Sequence, residues 1–218
     1  MAPSTTPSRR VILMAVGDVM LGRTVGEMIE TEEHDAPFGF PADTLKSSDV
    51  TVGNLECPIS TRGTAEDKTY VFRAPLAAAE SLAYAGFNLV NLAAQNIQTV
   101  GAGINALEAH DPVIFEVNGL RLTFLGFMDI PPAIYDYRSW ETGPNQPGVA
   151  WAYEERVQQD ITAAKAQADI VIILVHNGYE LMGQVVSEQQ NIAYLAIDSG
   201  ASLVIGSHPH VLQRVEHY

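Results

Sequence analysis

The chain has 218 residues, of which 47% are hydrophobic and 17% charged, enough for one sizeable core and ordinary for a globular protein. Its formal charge of −14, with only 12 Lys and Arg, excludes the clustered cationic surface that a phosphate backbone requires, and so argues against nucleic acid as a partner. No apolar run reaches the roughly 20 residues needed to cross a bilayer, and a single cysteine, Cys57, excludes an internal disulfide. Residues 1–10 are rich in Ser, Thr and Pro and read as a disordered tail. The apolar segment behind them, 11–16, is too short for a signal-peptide core. Either the protein is cytoplasmic or an export segment is missing from the sequence. Residues 11–218 show no fixed repeat or linker and read as one domain.

Residues 11–16 are continuously apolar and predict a buried strand that stops at Gly17-Asp18. A helical stripe of Val25, Met28 and Ile29 follows, so Asp18 falls at a strand-to-helix turn, either as a site residue or as an N-cap. Residues 41–48 predict a short helix and 50–52 a strand, with Gly53-Asn54-Leu55-Glu56-Cys57-Pro58 beyond it. Asn54 and Glu56 are two apart, so in extended backbone they face the same way. An edge strand is expected at 69–73, an alanine-rich helix at 75–85 ending at Gly86, and a strand at 87–92.

Between that strand and the β-branched segment 97–100 there is no room for a crossover helix. Parallel neighbours need a dozen or more connecting residues, so these two segments are expected to pair differently or to have lost something between them. Segments 113–117 and 120–127 flank Asn118-Gly119, the strongest short hairpin signal. Residues 128–148 predict a long surface loop. A helix at 151–168 leads to a buried strand, 170–175, that ends at His176. Ser187 is expected to open the next helix with Gln190 in a capping-box position, and Gly200 to close it. The apolar run Leu203-Val204-Ile205 then ends at Gly206-Ser207-His208-Pro209-His210.

Four apolar strands thus end in Asp18, in Asn54 with Glu56, in His176, and in His208 with His210. One such histidine is ordinary, but four strand ends carrying oxygen or imidazole donors are hard to explain by packing. Carboxylate, amide and imidazole donors without cysteine fit manganese, iron or zinc, and a two-metal site would suit phosphate-ester hydrolysis by a bridging hydroxide.

The segments Gly17-Asp18-Val19-Met20-Leu21-Gly22-Arg23, Asn54-Leu55-Glu56-Cys57-Pro58, His176-Asn177-Gly178-Tyr179-Glu180 and Gly206-Ser207-His208-Pro209-His210-Val211 resemble the motifs of the bacterial capsule-synthesis CapA proteins. These are associated with poly-γ-glutamate and belong to the calcineurin-like metallophosphoesterase superfamily. The resemblance implies an α/β fold, a metallophosphatase-like sheet sandwich flanked by helices (α/β/β/α), incomplete at its C-terminus. It implies metal positions at Asp18, Glu56, His176, His208 and His210, catalytic roles for Asn54 and His176, and two divalent ions. It also implies an anionic polymer or phosphate-ester substrate, a capsule-synthesis complex at a membrane, and hence a membrane-associated or extracytoplasmic location as an alternative.

Two departures stand out. The family's Asn-Asn-His segment and most of the helix after it are missing between Ala93 and Ala94, unless Gln95 and Asn96 fill those positions, and the family's later Ser-Leu-Gly-Asn-Phe segment is absent. The first sets a catalytic reading against a non-catalytic binding or scaffold role. Together they lead us to expect uncovered strand faces and self-association. A nucleotide-binding reading is weak, since Gly101-Ala102-Gly103 lacks a third glycine and no P-loop is present.

Overall fold

The computed structural model describes residues 9–32, 35–62, 72–91, 97–131 and 137–218. In chain order these form β1 (Leu13–Val19), α1 (Arg23–Thr31), α2 (Ala42–Leu45), β2 (Val50–Leu55), α3 (Ala78–Tyr84), β3 (Leu89–Asn91), β4 (Gln98–Val100), β5 (Ala102–Gly103), α4 (Ala106–Ala109) and β6 (Val113–Val117). There follow β7 (Leu120–Asp129), a 3-10 turn at Tyr137–Trp140, β8 (Gly148–Val149), α5 (Glu154–Lys165), β9 (Ile170–Asn177), α6 (Ser187–Asp198) and β10 (Leu203–Ser207). Two four-stranded sheets result, in the orders β1-β2-β3-β4 and β10-β9-β7-β6, with β5 and β8 as a separate pair.

The period-2 alternation of strand side chains sorts the apolar residues into layers. In β9, Ile172 and Leu174 face the other sheet, where with Leu122 and Phe124 they meet Val50, Val52, Leu89 and Val100. The intervening Val171, Ile173 and Val175 pack on Val157, Ile161 and Ala164 of α5 and on Ile192 and Ala196 of α6. On the far side of the first sheet, Leu55 and Val90 pack with Ile29, Leu45, Ala78 and Leu82 from α1, α2 and α3. The arrangement is helices, sheet, sheet, helices, as the resemblance implied. Each fully buried large side chain in these layers contributes roughly 1.5–3 kcal/mol.

Several expectations are corrected. β1 is only partly buried because it is the edge strand of its sheet. β3 and β4 do not pair differently: they are parallel neighbours, Leu89 opposite Gln98 and Asn91 opposite Val100, although six residues join them. Gln95 and Asn96, and residues 69–71 of the expected edge strand, lie outside the described residues. Phe72 and Arg73 carry no strand, and Ala74 makes an isolated bridge to Ile59. Trp151 is not helical but bridges Met128, and α5 begins three residues later. α6 does open at Ser187, but Gln189, not Gln190, closes its first turn by accepting from the Val186 N–H at 3.2 Å. Asn118 and Gly119 both have positive φ, 52° and 75°, as a type I′ hairpin turn requires. The Asn118 amide donates to the Arg10 carbonyl at 2.9 Å and Arg9 donates to the Gly119 carbonyl, so residues 9 and 10 lie against this turn. Residues 1–8 of the expected tail lie outside the described residues.

One irregularity aims the site. β1 pairs with β2 as Leu13 with Val50 and Ala15 with Val52, then as Asp18 with Asn54, so one extra residue is taken up between Ala15 and Asp18. In a regular strand Asp18 would share the helix-facing side of Met14 and Val16. The bulge instead gives it the facing of Asn54, toward the second sheet, and Val19 resumes contact with the helix layer.

Candidate metal centre

The donors come from the carboxyl ends of strands in both sheets. Asp18 and Asn54 continue the inward registers of β1 and β2, and His176 continues that of Ile172 and Leu174. Glu56 lies one residue past β2, with its backbone N–H donating to the Val19 carbonyl at 3.0 Å. His208 and His210 lie just beyond β10, with φ of 98° and 56°. Positive φ is costly for residues with a Cβ and persists where the surroundings over-determine it.

The structure brings all six sequence-derived residues together. The Asn54 side-chain amide donates to Asp18 Oδ1 at 2.8 Å and to Glu56 Oε1 at 2.6 Å, holding the two carboxylates side by side. The backbone N–H of His208 donates to both Asp18 oxygens at 3.2 Å. His210 Nδ1 lies 3.0 Å from Asp18 Oδ2. His176 Nδ1 is 3.1 Å from Ser207 Oγ, 3.7 Å from Glu56 Oε1 and 3.9 Å from Asp18 Oδ1. The His176 and His208 rings meet edge-on, their centroids 4.7 Å apart.

Burial and crowding set the protonation of this cluster. Burial, with the Asp18 charge beside it, pushes the Glu56 carboxyl up to about 8, so in the metal-free protein Glu56 carries a proton at neutral pH. Burial, with His208 next to it, holds His176 well below the ordinary imidazole range. Burial also lowers His208, against the opposing pull of the Glu180 charge. The contacts of His176 with Glu56 and Asp18 are therefore not ion pairs at neutral pH, whatever their distance. They join a neutral imidazole to a protonated Glu56 and to Asp18.

Three neighbours escaped the sequence reading. Asn91, at the end of β3 in register with Asn54, donates to Asn54 Oδ1 at 3.3 Å, while its own Oδ1 is buried with no hydrogen-bond partner among the described residues. A Cβ at Gly126 would stand 2.4 Å from that oxygen, so the site depends on glycine there. Ser207 contacts His176, and Glu180 stands close to His208 and His210. Asn91 had a usable signal, since it ends an apolar strand as Asp18 and His176 do; Ser207 and Glu180 had none beyond sitting in the quoted motifs. Asp18, Glu56 and His176 offer ligand atoms within 4.8 Å of one another, and so, as a second group, do Glu180, His208 and His210.

Cys57 takes no part in this chemistry. Its thiol is buried, is pushed up by that burial, and accepts from the Leu21 N–H at 3.4 Å. No described helix is long and apolar enough to cross a membrane.

A solved hypothetical protein from Thermus thermophilus shares the fold, with a TM-score of 0.52 at 18% identity over 91% of this chain and 68% of its own. Among curated proteins, the PGA biosynthesis protein CapA of Bacillus subtilis is 29% identical over 226 residues, covering 93% of this chain and 58% of its own length. The capsule biosynthesis protein CapA of Bacillus anthracis is 28% identical over 241 residues, covering 97% and 57%. This chain thus spans somewhat more than half of those relatives, and both alignments are longer than the chain, so they open gaps in it. The family described as bacterial capsule synthesis protein PGA_cap matches residues 12–96 and 91–218, its two pieces meeting on the link between β3 and β4. With both pieces covering nearly the whole sequence, the chain belongs to the PGA_cap family of bacterial capsule synthesis proteins.

Proposed function

We propose that this chain serves the synthesis, export or anchoring of an anionic capsule polymer of the poly-γ-glutamate kind named for its relatives, through a metal-dependent hydrolytic site. The observation that carries this reading is the triad of Asp18, Glu56 and His176, whose ligand atoms converge within 4.8 Å from two different sheets. The donor set fits a divalent cation such as manganese, iron or zinc: two carboxyl groups are held side by side, Glu56 giving up its proton on binding, and the nearby imidazole is uncharged with a lone pair to give. His208 and His210 would complete the set.

A bound cation supplies Lewis acidity toward a phosphoryl or acyl oxygen. The protein's own residues do the rest. Asn54 holds Asp18 and Glu56 side by side through its amide, and that amide would orient a substrate oxygen. The Ser207 hydroxyl fixes the ring of His176, and the His208 N–H fixes Asp18. The substrate on this reading is a phosphate ester or an amide of the polymer, and its natural setting is a capsule-synthesis complex at a membrane. The test is metal content of the purified protein together with turnover of p-nitrophenyl phosphate and shortening of poly-γ-glutamate. A protein that takes up no metal and turns over neither substrate would remove this reading.

A second reading, a non-catalytic scaffold of the same fold, is favoured by the link between β3 and β4. Parallel neighbours normally need a dozen or more connecting residues, and here six suffice, at the seam of the family match. The absent block would have carried an Asn-His pair. Inserting a helix that carries an Asn-Asn-His segment between Ala93 and Ala94 should raise turnover by on the order of 100-fold, the size of effect that one electrostatic stabiliser supplies. An unchanged rate would count against a lost catalytic segment.

A further inference from the structure

We propose that Glu180 is a metal ligand, completing with His208 and His210 a second cation position that needs no residue from the link between β3 and β4. This rests on the metal reading above and extends it. The ligand atoms of Glu180, His208 and His210 lie within 4.8 Å of one another, a carboxylate and two imidazoles, which is an ordinary three-donor set for manganese or zinc with room left for solvent or substrate.

The loop that carries Glu180 is built to hold it there. Gly178 turns at φ of 101°, and a Cβ at that position would stand 2.5 Å from Gln189 Nε2. Gln189 donates to the Asn177 carbonyl at 3.2 Å and exchanges amide hydrogen bonds with Gln213. Gln213 in turn donates to the carbonyls of Met182 and Gln184 at 2.9 and 3.3 Å. On its other side the loop is tied to the histidine loop by the Leu181 N–H, which donates to the Pro209 carbonyl at 2.8 Å. Pro209 lies between the two histidines, so this bond sets Glu180 beside both.

The backbone strain is distributed accordingly. Among the described residues, five other than glycine have positive φ, and three of them are Leu181, His208 and His210. Positive φ is costly for residues with a Cβ, and all three flank the hydrogen bond from the Leu181 N–H to the Pro209 carbonyl. Leu181 is exposed, so packing of its side chain does not account for its conformation.

The experiment is equilibrium binding of Mn²⁺ to metal-free protein, with ions per chain counted by mass spectrometry, for the wild type, Glu180→Gln and Glu56→Gln. Glu180 is exposed, so its substitution should leave the melting curve in place and the fold intact. The expected result is two ions for the wild type, one for each variant, and both ions lost when the substitutions are combined. Affinity for the ion lost in Glu180→Gln should fall on the order of 100-fold, at least the effect of removing an outer-sphere partner. Replacing Mn²⁺ with Co²⁺ should give a visible spectrum that changes in Glu180→Gln and differs from that of Glu56→Gln. A Glu180→Gln protein that binds as the wild type does, or that loses the same ion as Glu56→Gln, overturns the proposal while leaving the metal reading intact. A wild type that binds no ion overturns both.

Discussion

The backbone N–H of His208 donates to both carboxylate oxygens of Asp18 at 3.2 Å, across 190 residues of sequence and between the two sheets. Asp18 also accepts from Asn54 and lies 3.0 Å from His210 Nδ1, so it is the junction between the two donor triads. Asp18→Ala should therefore empty both cation positions rather than one. In the metal-free protein it leaves part-buried donors unpaired, which costs about 1–3 kcal/mol, but it also relieves the crowding of Glu56. A net loss near the low end, about 1 kcal/mol, is expected in urea denaturation. Wild-type metal content in this variant would refute the junction role.

The protonation of the cluster makes stability of the metal-free protein depend on pH. Glu56 goes from an ordinary 4.5 when unfolded to about 8 when folded, so between those values the folded state holds the extra proton and stability falls as pH rises. His176 and His208 are lowered from 6.5, so their contribution is present above that value and is lost as pH falls below it. From about 6.5 to 8 Glu56 drives an alkaline decline that the two histidines no longer offset. Thermal melts of chelator-treated protein should show it, and Glu56→Gln should flatten it while keeping the acid limb. Added Mn²⁺ should reverse the slope, because ligands bind metal in their deprotonated form. A flat profile for the metal-free wild type above pH 6.5 would contradict the raised Glu56.

The donors of this site were legible because strand ends are legible: an apolar run that stops at Asp18, Asn54 or His176 declares both a strand and what stands at its tip. Their convergence was expected from the four strand ends taken together, but its geometry was not. It depends on which strands are neighbours and which face each residue takes, and the bulge before Asp18 has no signature in a uniformly apolar run. β1 looked like a central strand for the same reason, since apolar residues alone do not reveal an edge. The parallel pairing of β3 with β4 defied the rule on connection length, which is where the sequence departs from its family. Asn91, Ser207 and Glu180 were hidden by ordinary identity: their importance comes from what the fold sets beside them.

The bulge makes its own prediction. Two residues of β1, Val16 and Gly17, occupy the space of one between the pairs Ala15 with Val52 and Asp18 with Asn54, and nothing lies within 4 Å of where a Gly17 side chain would begin. Deleting Gly17 should therefore restore a regular ladder and leave Asp18 facing the second sheet, with Mn²⁺ binding retained. If the strand were regular to begin with, the same deletion would turn Asp18 toward the helix layer. Loss of all metal from a folded Gly17-deleted protein, with far-UV circular dichroism unchanged, would show the bulge to be wrongly placed.

Self-association is the expected behaviour of this chain in solution. β10 is an outer strand of its sheet, and among the described residues nothing pairs with its free edge; Leu203 on it is exposed. Beyond it the chain runs without regular structure, with Leu212 98% and Val215 99% exposed. An open strand edge beside apolar side chains is a ready surface for a second copy. The charge of −14 opposes this at low ionic strength, and screening removes the opposition once the Debye length falls to about 8 Å at physiological salt. Light scattering coupled to size exclusion should then show a larger mass at high salt than at low salt. Leu212→Asp with Val215→Asp, which adds charge where the apolar side chains stand, should keep the protein monomeric at both. A wild type that elutes as a compact monomer regardless of salt would show that the free edge of β10 does not recruit a partner copy.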